Sequence, residues 1–430
     1  MEYSLHCSLV TADGSRGEAI EAVASVGADS IKLVAKDGSE SVVDLRRIAD
    51  IVPTDHGIRL IANDGAETTL ERLANKRDDL LRSICGSKND LFLSDTLGGE
   101  VPRAKGIRGE LRTVDPSGAP RPLQRCELRV YRDSLVVIPE RSCLFQVPMS
   151  RLVSVGVERY NLVARIEGGD RVVVSRVERE LEPARKAISD AIADCRRRSA
   201  AMLRDLVPSG GTANLDELAR RVADGRTIRL TELEDSLPGS SAGLDSRLAD
   251  AGISEQCRQL CSVGVEKMTR VGMRRRTRGD ESTNEFWILV PITSSEESTM
   301  GNAIALERTF GTPEDQATLF FRIASRSSFR ASGGMMDETE VDGALDVVGE
   351  ALELAGYRYE PLLLTERELT LPENARHRHA ISALPGLSEL RHRFIGKVMH
   401  SSPEQWAETT RELLRFNVSA TSDDDVFANH

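Results

Sequence analysis

The chain has 430 residues, of which 40% are hydrophobic, 29% charged and 4% aromatic, and its formal net charge is −11. This composition is typical of a globular protein, and the length suits about three domains rather than one. The negative charge excludes a general electrostatic affinity for nucleic acid and leaves that role only to a local basic patch.

The cysteine pattern and the lack of targeting signals both favour the cytoplasm as the compartment of this protein. No apolar run approaches the roughly 18 residues of a membrane-spanning helix, and the N-terminal MEYSLHCSLV lacks the basic start of a secretory signal. The seven scattered cysteines do not form the pattern of a disulfide framework. We therefore expect a cytoplasmic protein, and the excess of Arg and Ala over Lys and Ile is typical of GC-rich bacterial genomes.

The predicted elements of the first 200 residues occur twice, at a constant offset of 104 residues. HGIRLIANDGAETTLERL (His56 to Leu73) lies over YNLVARIEGGDRVVVSRV (Tyr160 to Val177) without a gap, so that Gly65 meets Gly169. Upstream, DSIKLVAKDG lies over DSLVVIPERS at the same offset. Strands, turns and helix coincide without an insertion, so we interpret the two segments as an internal repeat.

Each copy is predicted to contain seven short strands and one C-terminal helix. Alternating apolar residues separated by turns such as Asn63-Asp64-Gly65 predict the strands. Leu80, Leu81 and Ile84 at helical spacing predict the helix, with Gly86 as its stop. The strands of the first copy are predicted near 3–12, 19–27, 30–36, 41–46, 48–53, 57–63 and 66–73, its helix near 75–86, and the helix of the second copy near 181–206.

This layout resembles that of pleckstrin-homology-like (PH/GRAM-type) domains, in which a small antiparallel β-barrel is closed by a C-terminal helix. We expect one such domain at 1–90 and a second at 104–206. A lipocalin-like or other small antiparallel barrel is the structural alternative.

The resemblance implies phosphoinositide binding, docking of a peptide or protein, or scaffolding. Phosphoinositide binding needs several cations between the first two strands. The first copy offers Arg16 alone there, and the second offers Arg121 and Arg125. We therefore do not expect phosphoinositide binding, and favour protein docking or internal packing for both copies.

The second half is predicted to contain a small helical region and an α+β domain, so that the whole chain has an α+β multidomain fold. Pro208 to Gly211 mark the boundary. The helical region, for which a winged-helix arrangement is an alternative, is predicted at 207–275, the α+β domain at 280–420 and an acidic tail at 421–430. The elements are helices at 213–225, 231–239, 241–252, 254–273, 340–356, 385–401 and 402–416, strands at 286–292, 302–310, 317–324 and 360–371, and a loop at 327–339.

The common catalytic and cofactor motifs GxxxxGK[ST], GxGxxG, HExxH and paired CxxC do not occur in the sequence, and we expect no cofactor. Cys257 and Cys261 have the i, i+4 spacing of metal ligands, but without a second pair we expect buried free thiols. His377, His379 and His392 are weak metal candidates, because neighbouring arginines oppose the binding of a dication.

Two basic stretches in this acidic chain are the candidate sites for an anion or a partner. Arginine binds phosphate and carboxylate groups bidentately, but few aromatic residues are interleaved for base stacking. A solvated face, or pairing with the acidic Asp423 to Asp425, are the alternatives. The candidates are Lys267, Arg270, Arg274, Arg275, Arg276, Arg278, Arg376, Arg378, Arg391 and Arg393.

Three functions are compatible with these patterns. The repeat and the absence of the motifs named above favour a non-enzymatic cytoplasmic adaptor or scaffold that binds a protein partner. The alternatives are a nucleic-acid-binding component of a multi-subunit bacterial assembly, using the arginine-rich face, and an enzyme of unrecognised type after residue 280. No catalytic residue, partner identity or oligomeric state is predicted.

Overall fold

The computed structural model describes residues 2–12, 14–15, 17–97, 100–112, 123–208, 215–278, 281–293, 301–309, 316–356 and 359–419, without the side chains of 277, 278 and 281. The chain divides into two compact units, Met1–Ile192 with Glu368–Leu384 and Ala193–Arg367 with Pro385–His430. Arg16, Arg121 and the predicted acidic tail lie outside the described residues. The four domain boundaries expected from the sequence stay predictions.

The first unit begins with seven antiparallel strands followed by one helix, here called the first module. Its elements are β1 (Glu2–Val10), β2 (Ile20–Val26), β3 (Ser30–Ala35), β4 (Glu40–Asp44), β5 (Ile48–Pro53), β6 (Gly57–Ala62), β7 (Glu67–Glu71) and α1 (Arg77–Leu97). The strands form one sheet in the order β4-β3-β2-β1-β7-β6-β5. The end strands β4 and β5 are joined by a 3-10 turn, Leu45–Arg47.

The second module repeats this arrangement. Its elements are β8 (Ala104–Arg112), β9 (Gln124–Val130), β10 (Ser134–Pro139), β11 (Phe145–Pro148), β12 (Leu152–Glu158), β13 (Asn161–Ile166), β14 (Arg171–Ser175) and α2 (Leu181–Leu206). The sheet order is β11-β10-β9-β8-β14-β13-β12. Strand pairing keeps the predicted offset, since Tyr3 lies opposite Ala24 as Ile107 lies opposite Leu128. An α+β fold with two seven-stranded antiparallel sheets is thereby confirmed.

The junction between the last strand and the helix has the same unusual backbone in both modules. Arg72 and Arg176 have φ values of 59° and 54°, and Ala74 and Glu178 have φ values of 47° and 54°. This left-handed region is uncommon for residues that carry a Cβ atom. Its recurrence at the same offset supports the repeat independently of sequence identity.

The core of the first module lies between its sheet and α1. Ile31, Ile58 and Leu60 of the strands and Leu80 and Ile84 of the helix have no exposed surface. They belong to one apolar cluster, and removal of such surface from water is the main driving force for folding. The helical spacing of the apolar residues was therefore a sound guide to this face of α1.

Helix α1 extends beyond its predicted stop at Gly86. That glycine lies within the helix and does not have the left-handed backbone of a helix cap. Further along, the side-chain oxygen of Asn89 accepts a hydrogen bond from the amide of Leu144 at 2.8 Å, and its amide donates to the carbonyl of Ser142 at 3.2 Å. Leu144 and Ser142 belong to the second module, so a tertiary contact outweighs the local stop signal.

The second unit contains a six-stranded antiparallel sheet and most of the remaining helices. Its strands, in sheet order, are β15 (Ile228–Arg229), β16 (Arg270–Arg278), β17 (Glu281–Ile292), β18 (Ala303–Arg308), β19 (Ala317–Arg322) and β20 (Phe394–Met399). The helices of residues 215–419 are α3 (Leu215–Arg221), α4 (Leu230–Ser236), α5 (Ser240–Asp250), α6 (Ser254–Val263), α7 (Arg326–Ala331), α8 (Glu338–Leu354), α9 (Glu360–Leu363), α10 (Glu366–Thr370), α11 (Ala375–Ala383), α12 (Pro385–Arg393) and α13 (Pro403–Ser419). Helix α11 belongs to the first unit.

The predicted helix at 254–273 is wrong in its second half. Helix α6 ends before Gly264, where a Cβ atom would lie 2.4 Å from Val290. The chain then enters β16, in which Val271 and Met273 are buried at the two-residue spacing of a strand. The polar residues 276–278 and 281–285 are the paired ends of β16 and β17.

Three further predictions in this half are wrong. The strand predicted at 360–371 is instead two short helices, α9 with Leu362 buried and α10 with Leu369 buried. The helix predicted at 385–401 ends at Arg393, and β20 follows with Ile395 and Val398 in the core. The loop predicted at 327–339 contains most of α7, whose N-cap is Ser325.

No helix in the described parts of the chain has the length and apolar character that a transmembrane span requires.

Candidate binding cleft

The arginines of β16 form ion pairs within the second unit. Arg270 is 7% exposed and donates to two carboxylates of α8, Asp342 at 2.7 Å and Asp346. Arg274 donates to Glu285 at 2.6 Å. Because burial of unpaired charge is costly, these guanidinium groups serve the fold.

The remaining candidates of this stretch lie nearer the surface. Arg276 is exposed and lies 3.6 Å from the buried carboxylate of Glu285. Arg275 donates to the hydroxyl of Ser282 at 3.2 Å, and the exposed Lys267 pairs with Glu338. The side chain of Arg278 lies outside the described residues.

The second basic stretch is divided between the two units. Arg376 and Arg378 belong to the first unit, where Arg376 is exposed and Arg378 donates to the carbonyl of Leu369 at 3.0 Å. Arg391 and Arg393 belong to the second unit. Arg391 is buried and donates to the carbonyls of residues 361 and 364, both at 2.9 Å, while Arg393 donates to the carbonyl of residue 323 at 2.7 Å.

The three histidine candidates are not gathered into one site. His379 is buried, and its Nδ1 lies 2.8 Å from the carboxylate of Asp95. His377 is half-buried beside Arg376, and His392 is exposed. Within the described ranges, no group of three His, Cys, Asp or Glu side chains is arranged to hold a metal ion.

The two cysteines of α6 are poor metal ligands in this structure. Burial is the main cause that raises the pKa of Cys257, and likewise the pKa of Cys261. A thiol with a raised pKa stays protonated, whereas metal binding and nucleophilic attack require the thiolate. Both thiols are free; Cys257 is buried as expected, whereas Cys261 is half-buried.

Helices α4 and α5 form a short helix-turn-helix pair, the part of the chain for which a winged helix was the alternative. Gly239 in the turn has a φ of 92°. The exposed surface of α5 carries Asp245 and Asp250, and its Arg247 donates to the carbonyl of Asp205 at 3.0 Å. An acidic second helix repels the phosphates of a DNA groove.

A large recess lies in the first module, where β7 leads into α1. It encloses about 850 Å³ and is open to solvent. It is lined by Asp55, His56, Glu71, Arg72, Leu73, Ala74, Asn75, Arg77, Asp78, Asp79 and Arg82. The left-handed backbone of Arg72 and Ala74 therefore shapes its wall.

A second recess of about 390 Å³ adjoins the first and includes residues of both modules. It is lined by Arg82, Glu110, Leu123, Arg125, Glu140 and Arg141. Arg82 lines both recesses. A guanidinium nitrogen of Arg141 in the second module lies 3.3 Å from Asp78 in the first. The two recesses together are called the inter-module cleft below.

The charges of the inter-module cleft are mixed and locally paired. Arg77 donates to the carbonyl of Thr54 at 3.0 Å and to Asp78 at 3.1 Å. Arg82 lies 3.4 Å from Asp79. Such a lining can make many polar contacts to a partner that carries both signs of charge, whereas a polyanion would meet several carboxylates.

The sequence identified the strands around this cleft but not the cleft itself. His56 to Leu73 was interpreted as two strands around a turn, and Arg125 was considered only for phosphoinositide binding. The signal that would have indicated the cleft is the concentration of charge from Glu71 to Arg82 at the start of a helix. Its connection to the second module depends on long-range packing.

No protein-family model matches this chain. A search of curated proteins also finds none with significant similarity to it.

Proposed function

We propose that the protein is a non-enzymatic adaptor that binds a protein partner in the inter-module cleft. The observation that carries this proposal is that the two recesses are adjacent and that Arg82 lines both. One recess lies in the first module, and the other is lined by residues of both modules. An isolated module would provide only part of this surface. The tandem repeat therefore has a consequence for binding as well as for architecture.

The proposal includes a pleckstrin-homology-like fold for each module. Its support is a seven-stranded antiparallel sheet followed by one helix, found twice with the same strand order. Folds of this kind host many unrelated functions, so the functional argument depends on the cleft and not on the fold.

The lining favours an extended protein segment that carries both acidic and basic side chains. The cleft is lined by both acidic and basic residues, and Leu123 contributes an apolar surface that is 44% exposed. Charges at the edge of an interface set specificity and association rate more than affinity. An apolar anchor on the partner would supply the remaining binding energy.

Affinity capture with the full chain and charge-reversed variants tests this proposal. Arg82→Glu places a negative charge where both recesses meet, and Lys186→Glu makes the same change at the corresponding position of α2. Lys186 is 75% exposed and is the matched control. We expect partners bound by the wild type to be retained by Lys186→Glu and reduced at least tenfold by Arg82→Glu, equivalent to about 1.4 kcal/mol.

Equal recovery of every captured protein by the three chains would contradict docking in this cleft. Circular dichroism of both variants checks that the sheets remain folded. A partner lost equally from both variants would place binding elsewhere on the modules.

A further inference from the structure

A buried ionic cluster holds helix α11 on the first module. One carboxylate oxygen of Asp95 accepts hydrogen bonds from Nε of Arg46 and Nδ1 of His379, both at 2.8 Å. Asp95 lies on α1, Arg46 on the 3-10 turn between β4 and β5, and His379 on α11. The side chain of His379 is 1% exposed and that of Asp95 is 8% exposed.

Apolar burial within α11 is small, although Leu384 at its C-cap is buried as well. The buried residues of this helix are His379 and Ala380, and an alanine side chain removes little surface from water. The ring of Phe92 on α1 meets the imidazole edge-on at a centroid distance of 6.5 Å. The hydrogen bond to Asp95 is therefore a major part of what holds α11 in place.

A second proton on the imidazole of His379 would be carried by Nε2 and would have no hydrogen-bond acceptor among the described residues. Its Nε2 is buried and has no hydrogen-bond partner among the described residues. The elements packed against α11 are α1, the 3-10 turn Leu45–Arg47 and the 3-10 turn Pro372–Asn374. Their charged groups near the imidazole are Asp95, Lys88 and Arg46, while Glu373 of the last turn is exposed.

Burial of the imidazole and the nearby cations Lys88 and Arg46 all disfavour protonation of His379. Burial, followed by the charges of Lys88 and Arg46, lowers the pKa of His379, and the hydrogen bond to Asp95 only partly offsets this. Because the pKa of His379 is lower in the docked state of α11 than in the undocked state, the docked state is favoured at high pH. This stabilisation of the docked state is lost as the pH falls through the pKa of the undocked imidazole, about 6.5.

The second module does not have this cluster. At the positions that correspond to Arg46 and Asp95 it has Ser150 and Ser199. The attachment is therefore a property of the first module and not a general requirement of the repeated fold.

We propose that helix α11 is an acid-releasable latch, which occupies a helix-docking face formed by α1 and the Leu45–Arg47 turn and leaves it when His379 is protonated. Release uncovers the ring of Phe92 and the carboxylate of Asp95. The docked helix thus keeps this face closed at neutral pH and opens it in an acidic environment.

Hydrogen-exchange mass spectrometry of the full chain at pH 7.5 and 5.5, with labelling times corrected for the intrinsic pH dependence, tests the latch. We expect protection of residues 375–384 to fall about tenfold at the lower pH, because the undocked imidazole titrates near 6.5. Protection of α6 serves as the internal reference. Unchanged protection of 375–384 would overturn the proposal.

Two substitutions separate the latch from general destabilisation. His379→Asn keeps a donor for Asp95 but cannot be protonated, so α11 should stay protected at both pH values. His379→Ala should lose protection of 375–384 at both, while His377→Ala, on the same helix and half-buried, should behave as the wild type. A pH dependence that persists in His379→Asn would assign the release to another group and overturn the role of His379.

Discussion

At the scale of single residues, Glu234 shows how one carboxylate fixes a turn. It accepts hydrogen bonds from the amides of Gly239 and Ser241, both at 2.7 Å, and from the hydroxyl of Ser240 at 3.0 Å. The bond from the Gly239 amide is the largest of the causes that lower the pKa of Glu234 to about 2. The connection between α4 and α5 therefore depends on the ionised side chain.

We expect Glu234→Gln to lower the free energy of unfolding by about 1 kcal/mol at pH 7, a value reduced by solvent screening. The pKa is depressed in the folded state, so the contribution is present above the unfolded pKa of about 4.3 and is lost as the pH falls toward 2. Denaturant titrations at pH 7 and pH 3 measure the difference, which should shrink at pH 3.

Asp235→Asn removes the neighbouring exposed carboxylate and is the control for Glu234→Gln. Equal losses in the two variants, or a loss that is as large at pH 3 as at pH 7, would show that the turn does not depend on the Glu234 carboxylate.

Residue-scale prediction from the sequence failed where partners are distant along the chain. The sequence made His379 a weak metal candidate beside arginines, whereas the structure pairs it with Asp95, 284 residues away. Arg391 was a candidate for anion binding, and it instead caps carbonyl groups inside the second unit. Residue type identifies what a side chain can bind, but burial and pairing depend on the tertiary fold.

At the scale of elements, periodicity predicted the first half well. The strand expected at 48–53 is Ile48–Pro53, and the helix expected at 181–206 is Leu181–Leu206. Prediction was weaker where a short apolar run suits either a strand or a helix. Leu362 to Leu364 was expected in a strand, but these residues lie at the end of α9 and at its C-cap. A run of three leucines shows no period, so packing decides its conformation.

The left-handed junctions provide an element-scale prediction. Ala74 and Glu178 have φ values of 47° and 54°, for which a Cβ atom costs about 1 kcal/mol. Glycine removes that cost but increases the entropy of the unfolded chain. We expect Ala74→Gly and Glu178→Gly each to leave the free energy of unfolding unchanged or to raise it by about 0.5 kcal/mol, as measured by denaturant titration.

The control for these variants is Ala193→Gly, at an exposed position within α2. Glycine there should lower stability by about 1 kcal/mol, because the native backbone is an ordinary helix. If the junction variants lost as much stability as this control, the left-handed backbone would not be a shared feature of the two modules.

At the scale of the whole molecule, the sequence indicated the repeat but not the unit that each later segment joins. The two modules share strand order and junction backbone, and they keep the offset of 104 residues that the sequence indicated. The assignment of Glu368–Leu384 to the first unit was not predictable, because its sequence neighbours on both sides belong to the second. Local patterns carry no information about which core a later segment joins.

The net charge of −11 disfavours nucleic-acid binding by the whole protein. The burial and ion pairing of its candidate arginines disfavour it as well. Arg270 and Arg391 are buried, and Arg274 is paired with Glu285. Neutralisation of DNA phosphates requires several cations on one accessible surface, and each contact contributes to the salt dependence of binding. Of the described candidates in β16, Arg275 and Arg276 remain closest to solvent.

We therefore expect the full chain to give no electrophoretic shift of a DNA duplex at physiological salt. Weak binding at low salt should disappear as salt is raised, since so few phosphate contacts are available. The joint variant Arg275→Ala and Arg276→Ala reports on the most accessible pair, and Lys186→Ala is the control at an exposed cation of the second module. A shift that persists at physiological salt and is abolished only in the joint variant would contradict this prediction, because it would mean that the β16 hairpin binds phosphate despite the carboxylate of Glu285 beside it.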